Sequence, residues 1–226
     1  SYGQQVFRVS GDYAKAKEIA AGYAKIHNIH MSTGNIDPIR VEAKKTMVFE
    51  MLRQMDKFPD VYIQAVSGGT GPIAMDKGIR EIKSIYPDIK NPRFMLVQTD
   101  GCDPMVRAWE KAEANGFPEG FEKNYPIINN PKTDVPTLGT GNPATYPIVA
   151  KLVKDSGGTF LRMREKKLLP IGKLVAYEQK VIPGPASAVC IAGFFLALKK
   201  NKIKDGETVL INTGEGRNRA PYYLEQ

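Results

Sequence analysis

The most restrictive feature of the sequence is an apolar run, Val61 to Val66, that leads without a break into a glycine-rich segment, Ser67 to Gly71. A run of this length and composition predicts a buried β-strand. Pro72 follows the glycines at a position typical of the first turn of a helix. A strand, a glycine-rich turn and a helix in immediate succession are typical of proteins in which strands and helices alternate.

The same alternation continues along the chain and predicts the fold class. Apolar runs predict strands at 5–9, 61–66, 93–99, 159–163 and 207–212. Helical spacing of apolar residues predicts helices at about 13–26, 40–57, 72–85, 104–114, 146–155, 174–180 and 186–200. This order predicts an α/β fold with an open, mostly parallel sheet covered by helices. The Pro-, Gly- and Asn-rich segment 115–141 is long for a loop, which is usual for a functional segment or one ordered by a ligand or partner.

Composition excludes several other classes of protein. The 226 residues are 42% hydrophobic and 25% charged, which is enough apolar material for a core and argues against disorder. No apolar run approaches the ~20 residues that a membrane-spanning helix needs, and the two cysteines, Cys102 and Cys190, predict no disulfide framework. The net charge of +8 is scattered, so we predict a solvated surface rather than a nucleic-acid site. With no metal-binding cluster and no signal peptide, a cytoplasmic protein is expected.

Two segments carry groups suited to binding an anion. The N–H groups of a glycine-rich turn before a helix converge on an anion, and the helix N-terminus favours negative charge. Ser67–Gly71 is therefore either a phosphate site or a plain strand-to-helix turn. Residues 35–46 lead into a helix that carries Arg40 in its first turn, and arginine suits bidentate phosphate recognition. On its own, this second segment is better interpreted as an ordinary charged helix start.

Two later segments are of interest for their position. Gly184–Ala188 opens an apolar helix with small residues, which permit close packing or close approach of a ligand. Thr213–Gly216 follows the last predicted strand. Ligands bind outside the carboxyl ends of the strands in an open parallel sheet, so a hydroxyl at Thr213 can face a ring or a phosphate. Taken singly, both segments are more often structural than functional.

Taken in order, these segments resemble the threonine synthase family of fold type II pyridoxal-phosphate enzymes. The family pattern Asn-Pro-x-Arg-x-Glu-Gly-x-Lys-Thr is similar to residues 37–46, and the phosphate loop that follows a strand is similar to residues 67–71. Further family segments are matched by residues 141–144, 185–188 and 213–216. The resemblance covers nearly all of the sequence. Each segment is weak evidence alone, but the ordered set is specific.

The resemblance implies pyridoxal 5'-phosphate as cofactor and a role for each matched residue. The implied cofactor-binding residues are Ser67, Gly68, Gly69, Thr70, Gly71 and Thr213. The glycine-rich loop would cradle the cofactor phosphate, and the Thr213 hydroxyl would hydrogen-bond the pyridine nitrogen. Arg40, with Asn35, would bind the phosphate of an O-phosphohomoserine-like substrate. The implied reaction removes the α and β protons, releases phosphate from Cγ and adds water at Cβ to give L-threonine. The family also implies a homodimer.

One family motif does not occur in this sequence. The Schiff-base lysine of the family lies in a Ser-x-Lys-Asp motif that is absent here, and Lys44 and Lys45 belong to the helix pattern instead. We therefore expect this chain alone to lack a catalytic residue and to be inactive, as the C-terminal portion of a longer lyase. A naturally reduced relative without the lysine is the alternative. Residues 1–46 are expected to be the remnant of a small domain with its connecting segment, and 47–226 the cofactor-binding large domain.

Three departures from the family pattern leave the substrate open. Gly184 stands where the family has Glu, Ala43 where it has Gly, and Asp37 where it has Asn. Asp37 also brings a negative charge near the expected phosphate site. Two alternatives follow from these departures and from the missing lysine. One is a paralogue that acts on another β- or γ-substituted amino acid. The other is a lysine-less binding module for phosphate, pyridoxal phosphate or a phosphorylated metabolite.

Overall fold

A parallel sheet of four strands organises the part of the chain that the computed structural model describes, namely residues 3, 5–11, 13–32, 35 and 37–213. The strands are β1 (Val61–Ala65), β2 (Arg93–Thr99), β3 (Thr159–Met163) and β4 (Val209–Asn212). The helices are α1 (Tyr13–Ile26), α2 (Pro38–Gln54), α3 (Thr70–Lys83), α4 (Pro104–Ala114), α5 (Tyr146–Asp155), α6 (Leu168–Gln179) and α7 (Pro185–Lys199). The predicted α/β class with a parallel sheet is confirmed.

Helices cover both faces of the sheet. Successive side chains of a strand point to opposite faces, so Tyr62, Phe94 and Leu96 join a core with residues of α2–α5, while Ile63 and Val97 join a second core beneath α7. The central strands are therefore buried on both sides, which explains why their sequences are continuous apolar runs instead of alternating ones.

The strand order β3-β2-β1-β4 fixes where a ligand can bind. The chain proceeds from β1 to β2 to β3 on one side and then returns to place β4 against the other side of β1, with all pairings parallel. The helix that follows β1 and the helix that precedes β4 cover opposite faces of the sheet. A crevice therefore opens at the carboxyl ends of β1 and β4, the topological switch point at which open α/β sheets bind ligands.

One predicted strand is absent, and several predicted boundaries differ from the structure. Residues 5–9 form no strand, so that prediction is wrong. Val6 and Phe7 are exposed, and no strand of the described residues pairs with this segment. A strand forms only where a neighbour satisfies its backbone hydrogen-bonding groups. Helix α3 begins at Thr70, two residues before Pro72, and α6 begins at Leu168 instead of near 174.

Helix α2 runs without interruption from Pro38 to Gln54, through the predicted domain division between residues 46 and 47. That division stays a prediction. Helix α1 presents exposed apolar side chains, among them Ile19, Tyr23 and Ile26. In the described part of the chain, no helix combines the length and the apolar character that crossing a membrane requires.

Two carboxylates fasten the start of the edge strand β4 to the sheet. Asp60 Oδ2 accepts a hydrogen bond from the Thr208 N–H at 2.8 Å. Glu207 Oε2 accepts from the Lys204 N–H at 2.7 Å and from the Arg93 guanidinium at 2.5 Å. The Lys204 N–H is the largest cause that lowers the pKa of Glu207 below its ordinary value. The Lys57 ammonium is the largest cause that lowers the pKa of Asp60.

We expect Glu207→Gln to lower the free energy of unfolding by about 1 kcal/mol at pH 7, because it removes a charge-assisted contact at a half-buried site. A carboxyl with a lowered folded pKa stabilises the protein above its unfolded pKa and loses that contribution as the pH falls through the folded pKa. The difference between wild type and variant should therefore shrink below the ordinary value of 4.5. Urea unfolding monitored by circular dichroism across this pH range measures it.

Glu113→Gln is the matched control. The substitution removes the same charge, but Glu113 lies exposed near the end of α4. It should leave stability at pH 7 unchanged. Equal effects of the two substitutions would contradict the role assigned to Glu207.

Candidate functional site

A pocket of about 240 Å³ lies at the switch point. Gln64 and Ala65 line it from the carboxyl end of β1, and Asn212 lines it from the last residue of β4. Lys44 of α2 and Gly71 of α3 complete the wall on one side, and the start of α7 closes the other. The pocket is smaller than the roughly 300–1,000 Å³ of typical ligand sites, so it suits a small ligand such as a single ring with its substituents.

The glycine-rich turn between β1 and α3 forms one edge of this pocket. Gly69 is the N-cap of α3 and has a left-handed backbone with φ +79°, a conformation that glycine adopts at little cost. A Cβ on Gly69 would lie 2.5 Å from Val149 Cγ2, and one on Gly68 or Gly71 would overlap a neighbouring side chain amide. Close packing therefore excludes a side chain at all three glycines.

The same turn presents unpaired backbone donors. In the described part of the chain, no hydrogen bond uses the N–H groups of residues 67–71, whereas the neighbouring Val66 N–H is bonded to Val97. The first N–H groups of a helix lack partners within the helix, and the helix dipole adds positive potential at that end. The turn thus has the donors and the electrostatics that suit an anion, and its role as a phosphate site stays a prediction.

Three side chains hold the turn in place. The Ser67 hydroxyl donates to Thr140 Oγ1 at 2.5 Å, and the Thr70 hydroxyl donates to Asn35 Oδ1 at 2.6 Å. The Thr145 hydroxyl donates to the Gly68 carbonyl. Asn35 therefore lies against the loop, as expected of residues in one site. An anion bound on the loop would compete with Asn35 for the Thr70 hydroxyl.

Sequence reasoning missed Thr140 and Thr145. Thr140 lies at the end of the long segment 115–141, and Thr145, which is buried, follows shortly after it. The signal that could have found them is the family segment at residues 141–144, which they flank. Their contacts show that this segment supports the glycine-rich turn from 70 or more residues away in sequence.

The carboxylate of the capping residue Asp37 offsets the positive potential at the N-terminus of α2. Asp37 is buried, and its Oδ1 accepts a hydrogen bond from the Ile39 N–H at 3.0 Å. A hydrogen bond from the Ser32 side chain is the largest cause that lowers the pKa of Asp37. The aspartate that departs from the family pattern therefore occupies the helix N-terminus. Any anion near α2 must be bound by side chains instead of by the helix end.

Arg40 and Lys44 are basic residues of this part of α2, and the structure places them differently. Arg40, in the first turn of α2, is exposed and does not line the pocket. Lys44, one turn further along, is also exposed but does line it. Burial, and secondly the charge of Arg40, lower the pKa of Lys44 below its ordinary value. Lys45 points elsewhere: its amine lies 2.8 Å from Glu81 and 2.5 Å from Glu42.

A buried network joins the carboxyl ends of β1 and β4. The Ala65 N–H donates to Cys190 Sγ at 3.0 Å, and the Cys190 thiol donates to the Asn212 carbonyl at 3.0 Å. The Asn212 amide donates to the Tyr62 hydroxyl at 2.6 Å, and that hydroxyl donates to Gln64 Oε1 at 2.9 Å. Burial raises the pKa of Tyr62 far above its ordinary value, so this hydroxyl stays protonated.

This network holds Asn212, the last residue of β4, which directly precedes Thr213. Thr213 directly follows β4 and is exposed, and Gly214–Gly216 lie outside the described residues. Asn212, Gln64 and Cys190 were not predicted as site residues, because nothing in the local sequence distinguishes them from other strand and helix positions. The contact between Thr213 and a ring nitrogen stays a prediction.

Comparisons of the sequence with known proteins identify a family. A family model described as "Pyridoxal-phosphate dependent enzyme" matches residues 1–214. A threonine synthase of Methanocaldococcus jannaschii is 29% identical over 217 residues, which cover 95% of this chain and 51% of that protein. A cysteate synthase of Methanospirillum hungatei JF-1 is 29% identical over 213 residues, which cover 93% and 50%. The chain spans about half the length of the curated relatives it matches.

Solved structures share the fold. The processed form of threonine deaminase isoform 2 from Solanum lycopersicum superposes with a TM-score of 0.72 at 18% identity, covering 99% of this chain and 60% of that one. Maize serine racemase gives a TM-score of 0.70 at 15% identity, with 96% and 62% covered. At such identities the likeness shows the fold alone.

Proposed function

Because the chain belongs to the pyridoxal-phosphate-dependent enzyme family, we propose that it forms the phosphate-binding part of a threonine-synthase-like lyase. The proposed overall reaction converts O-phosphohomoserine and water to L-threonine and inorganic phosphate. The cofactor of the family is pyridoxal 5'-phosphate. The observation that carries the proposal is the turn at residues 67–71, which follows β1 at the switch point and whose N–H groups take no hydrogen bond in the described part of the chain.

The residues present fit this cofactor. Five backbone N–H groups, which take no hydrogen bond among the described residues, lie at the N-terminus of a 14-residue helix and are suited to a phosphate dianion. The three glycines let Asn35, Val149 and Gln64 pack directly against the backbone of the turn, since a Cβ at each glycine would overlap one of these side chains. The pocket runs from Gly71 to Asn212, and Thr213 follows at the far end. When bound, pyridoxal phosphate withdraws electrons from the amino acid and makes its Cα proton acidic.

The roles proposed for the residues of this chain are binding and orientation. Ser67–Gly71 hold the cofactor phosphate, and the neutral Thr213 hydroxyl meets the ring nitrogen, where it limits ring protonation. Arg40, with Asn35, orients the substrate phosphate so that it can leave from Cγ. The proposal gives this chain no catalytic residue of its own and assigns the covalent lysine to a part of the protein outside this sequence. A homodimer is proposed as the native assembly.

A second candidate is an enzyme that acts on another β- or γ-substituted amino acid. It is favoured by the cysteate synthase, which is as similar to this chain as the threonine synthase is. Asp37 favours it as well. Its carboxylate fills the start of α2, which changes the charge beside the expected substrate phosphate.

A product assay on the full-length protein distinguishes the two. We expect release of inorganic phosphate from O-phosphohomoserine together with an equal amount of L-threonine, measured by a phosphate assay and amino-acid chromatography. Sulfite with O-phosphoserine tests for cysteate formation, and threonine alone tests for deamination. Phosphate release without threonine, or cysteate as the main product, would support the second candidate against the first. No binding of pyridoxal phosphate and no product in any arm would reject both.

A further inference from the structure

The hydroxyl of Tyr62 lies between two amide side chains that line the switch-point pocket. Gln64 follows Tyr62 by two residues on β1, and Asn212 is the register partner of Gln64 on β4. Residues two apart on a strand, and residues paired across strands, face the same side of a sheet, so all three side chains lie on the side that α2 and α3 cover. Tyr62 is fully buried and does not line the pocket itself. It can therefore act on a ligand only through the two amides.

The hydrogen bonds of the Tyr62 hydroxyl have a fixed direction. A tyrosine hydroxyl has one hydrogen to donate. Here that hydrogen goes to Gln64 Oε1 at 2.9 Å, and the hydroxyl oxygen accepts from Asn212 Nδ2 at 2.6 Å. The Asn212 nitrogen also lies 3.8 Å from Met47 Sδ, a weak acceptor for its second hydrogen. Burial raises the pKa of Tyr62, so the hydroxyl keeps its hydrogen at neutral pH.

These bonds decide which atoms of the two amides remain for a ligand. Because Gln64 Oε1 and Asn212 Nδ2 are engaged, the pocket is left with Gln64 Nε2 as a donor and Asn212 Oδ1 as an acceptor. Neither of these atoms takes a hydrogen bond from or gives one to another described residue. Neither is sealed in the core either, since the buried polar atoms without a partner in the described part of the chain are Trp109 Nε1 and the Tyr146 hydroxyl.

The donor and the acceptor lie towards different ends of the pocket. A Cβ on Gly71 would lie 2.3 Å from Gln64 Nε2, so the donor lies against the start of α3. The acceptor lies where β4 ends, because Asn212 is the last residue of that strand. The Asn212 carbonyl also accepts a hydrogen bond from the Cys190 thiol at 3.0 Å. Both the backbone and the side chain of Asn212 are therefore held in place.

We propose that Tyr62 is a positioning residue, which orients Gln64 and Asn212 to bind the polar edge of a pyridine ring that carries an oxygen substituent. Gln64 donates to the oxygen substituent, and Asn212 accepts from a polar hydrogen of the ring or of that substituent. Such a ring offers an acceptor and a donor, which match the polarity left by Tyr62. The inference rests on the proposed function and deepens it, since it adds contacts to the ring of the cofactor.

Two probes that share a phosphate separate ring contacts from phosphate contacts. Inorganic phosphate tests residues 67–71 alone, whereas pyridoxal phosphate tests the ring as well. We expect Tyr62→Phe to weaken binding of pyridoxal phosphate about 3- to 10-fold, the range for one hydrogen bond of ordinary strength. The affinity for inorganic phosphate should stay the same. Calorimetric titration of the chain measures both, and Tyr86→Phe, at a residue that is 57% exposed, is the control that should change neither.

A double-mutant cycle tests whether Tyr62 acts through the two amides. In a chain that carries both Gln64→Ala and Asn212→Ala, adding Tyr62→Phe should not weaken binding of pyridoxal phosphate any further, because the groups that Tyr62 orients are gone. The absorption maximum of bound pyridoxal phosphate gives a second measurement. It should shift in Tyr62→Phe and stay unchanged in Tyr86→Phe. An additive effect of Tyr62→Phe in the cycle would contradict a role through the amides.

The remaining outcomes distinguish this inference from the proposed function. Equal affinity of wild type and Tyr62→Phe for pyridoxal phosphate would overturn the inference and leave the proposed function standing. An equal loss of affinity for both probes would mean that Tyr62 supports the fold, and would overturn the inference as well. A wild-type chain that binds neither probe would reject the proposed phosphate site, and this inference with it.

Discussion

Replacing Gly69 with alanine is expected to abolish measurable binding of pyridoxal phosphate and to lower the free energy of unfolding by about 2–5 kcal/mol. The left-handed backbone at φ +79° costs a residue with a Cβ roughly 1–2 kcal/mol. The new methyl would also lie 2.5 Å from Val149 Cγ2, and overpacking of this kind typically costs about 1–3 kcal/mol. Both terms act on the residue that caps α3.

The expected loss of binding follows from a displacement of the glycine-rich turn. Val149 is fully buried in α5, so the turn has to yield. The N–H groups of residues 67–71 then no longer converge on one point, and the phosphate loses several hydrogen bonds at once. Urea unfolding gives the change in stability, and equilibrium dialysis of pyridoxal phosphate gives the change in affinity.

Gly206→Ala is a closely matched control. Gly206 has the same φ of +79°, but nothing lies within 4 Å of its Cβ position. It should show the backbone cost alone and leave cofactor binding intact. Adding Val149→Ala to Gly69→Ala should relieve the overlap and recover part of the binding. If Gly206→Ala impairs binding as strongly as Gly69→Ala, the loop is not the phosphate site.

Trp109→Ala is expected to have the largest effect on stability, about 3–5 kcal/mol, as for truncation of a large buried aromatic side chain. Trp109 is 2% exposed. Its ring contacts Phe117 and Phe160 with centroid distances of 4.7 and 5.2 Å. Phe117 belongs to the excursion 115–141, so this cluster holds the start of that segment against the core.

The indole nitrogen allows a sharper comparison. Trp109 Nε1 is buried and has no hydrogen-bond partner in the described part of the chain. Trp109→Phe therefore keeps much of the packing and removes an unpaired donor, so it should cost far less than Trp109→Ala. Because Trp109 is the single tryptophan, both variants are followed by circular dichroism instead of fluorescence. Trp109→Ala should also make the excursion more sensitive to limited proteolysis.

Tyr177→Ala controls for the loss of an aromatic ring in itself, since Tyr177 is 72% exposed on α6. It should change stability by less than about 0.5 kcal/mol. If Trp109→Ala cost no more than this control, the aromatic cluster would not be what anchors the excursion.

Much of the fold could be predicted because its strands are buried on both faces. The runs that became β2 and β3, and the helices α4 and α5, begin and end at the predicted residues. Their apolar stretches are bounded by Gly, Pro, Asp or Ser, which end strands and start helices for local reasons. Residues 5–9 carry a similar pattern without forming a strand, because a strand also needs a neighbour.

The candidate site was only partly predictable for a related reason. The glycine-rich turn is encoded in five consecutive residues, so the sequence shows it directly. Thr140, Thr145 and the network of Tyr62, Asn212 and Cys190 reach the site through contacts between residues far apart in the chain. Such contacts have no local signature.

The sequence by itself determined the alternation of strands and helices, and with it the α/β class and the glycine-rich turn after β1, since these depend on periodicity and on residues adjacent in the chain. Only the tertiary structure decided the strand order β3-β2-β1-β4, which places the pocket between β1 and β4. It also decided which of two adjacent lysines faces that pocket. Neighbours on a helix point about 100° apart, so the packing of α2 against α3 turns Lys45 to Glu81 while Lys44 lines the pocket.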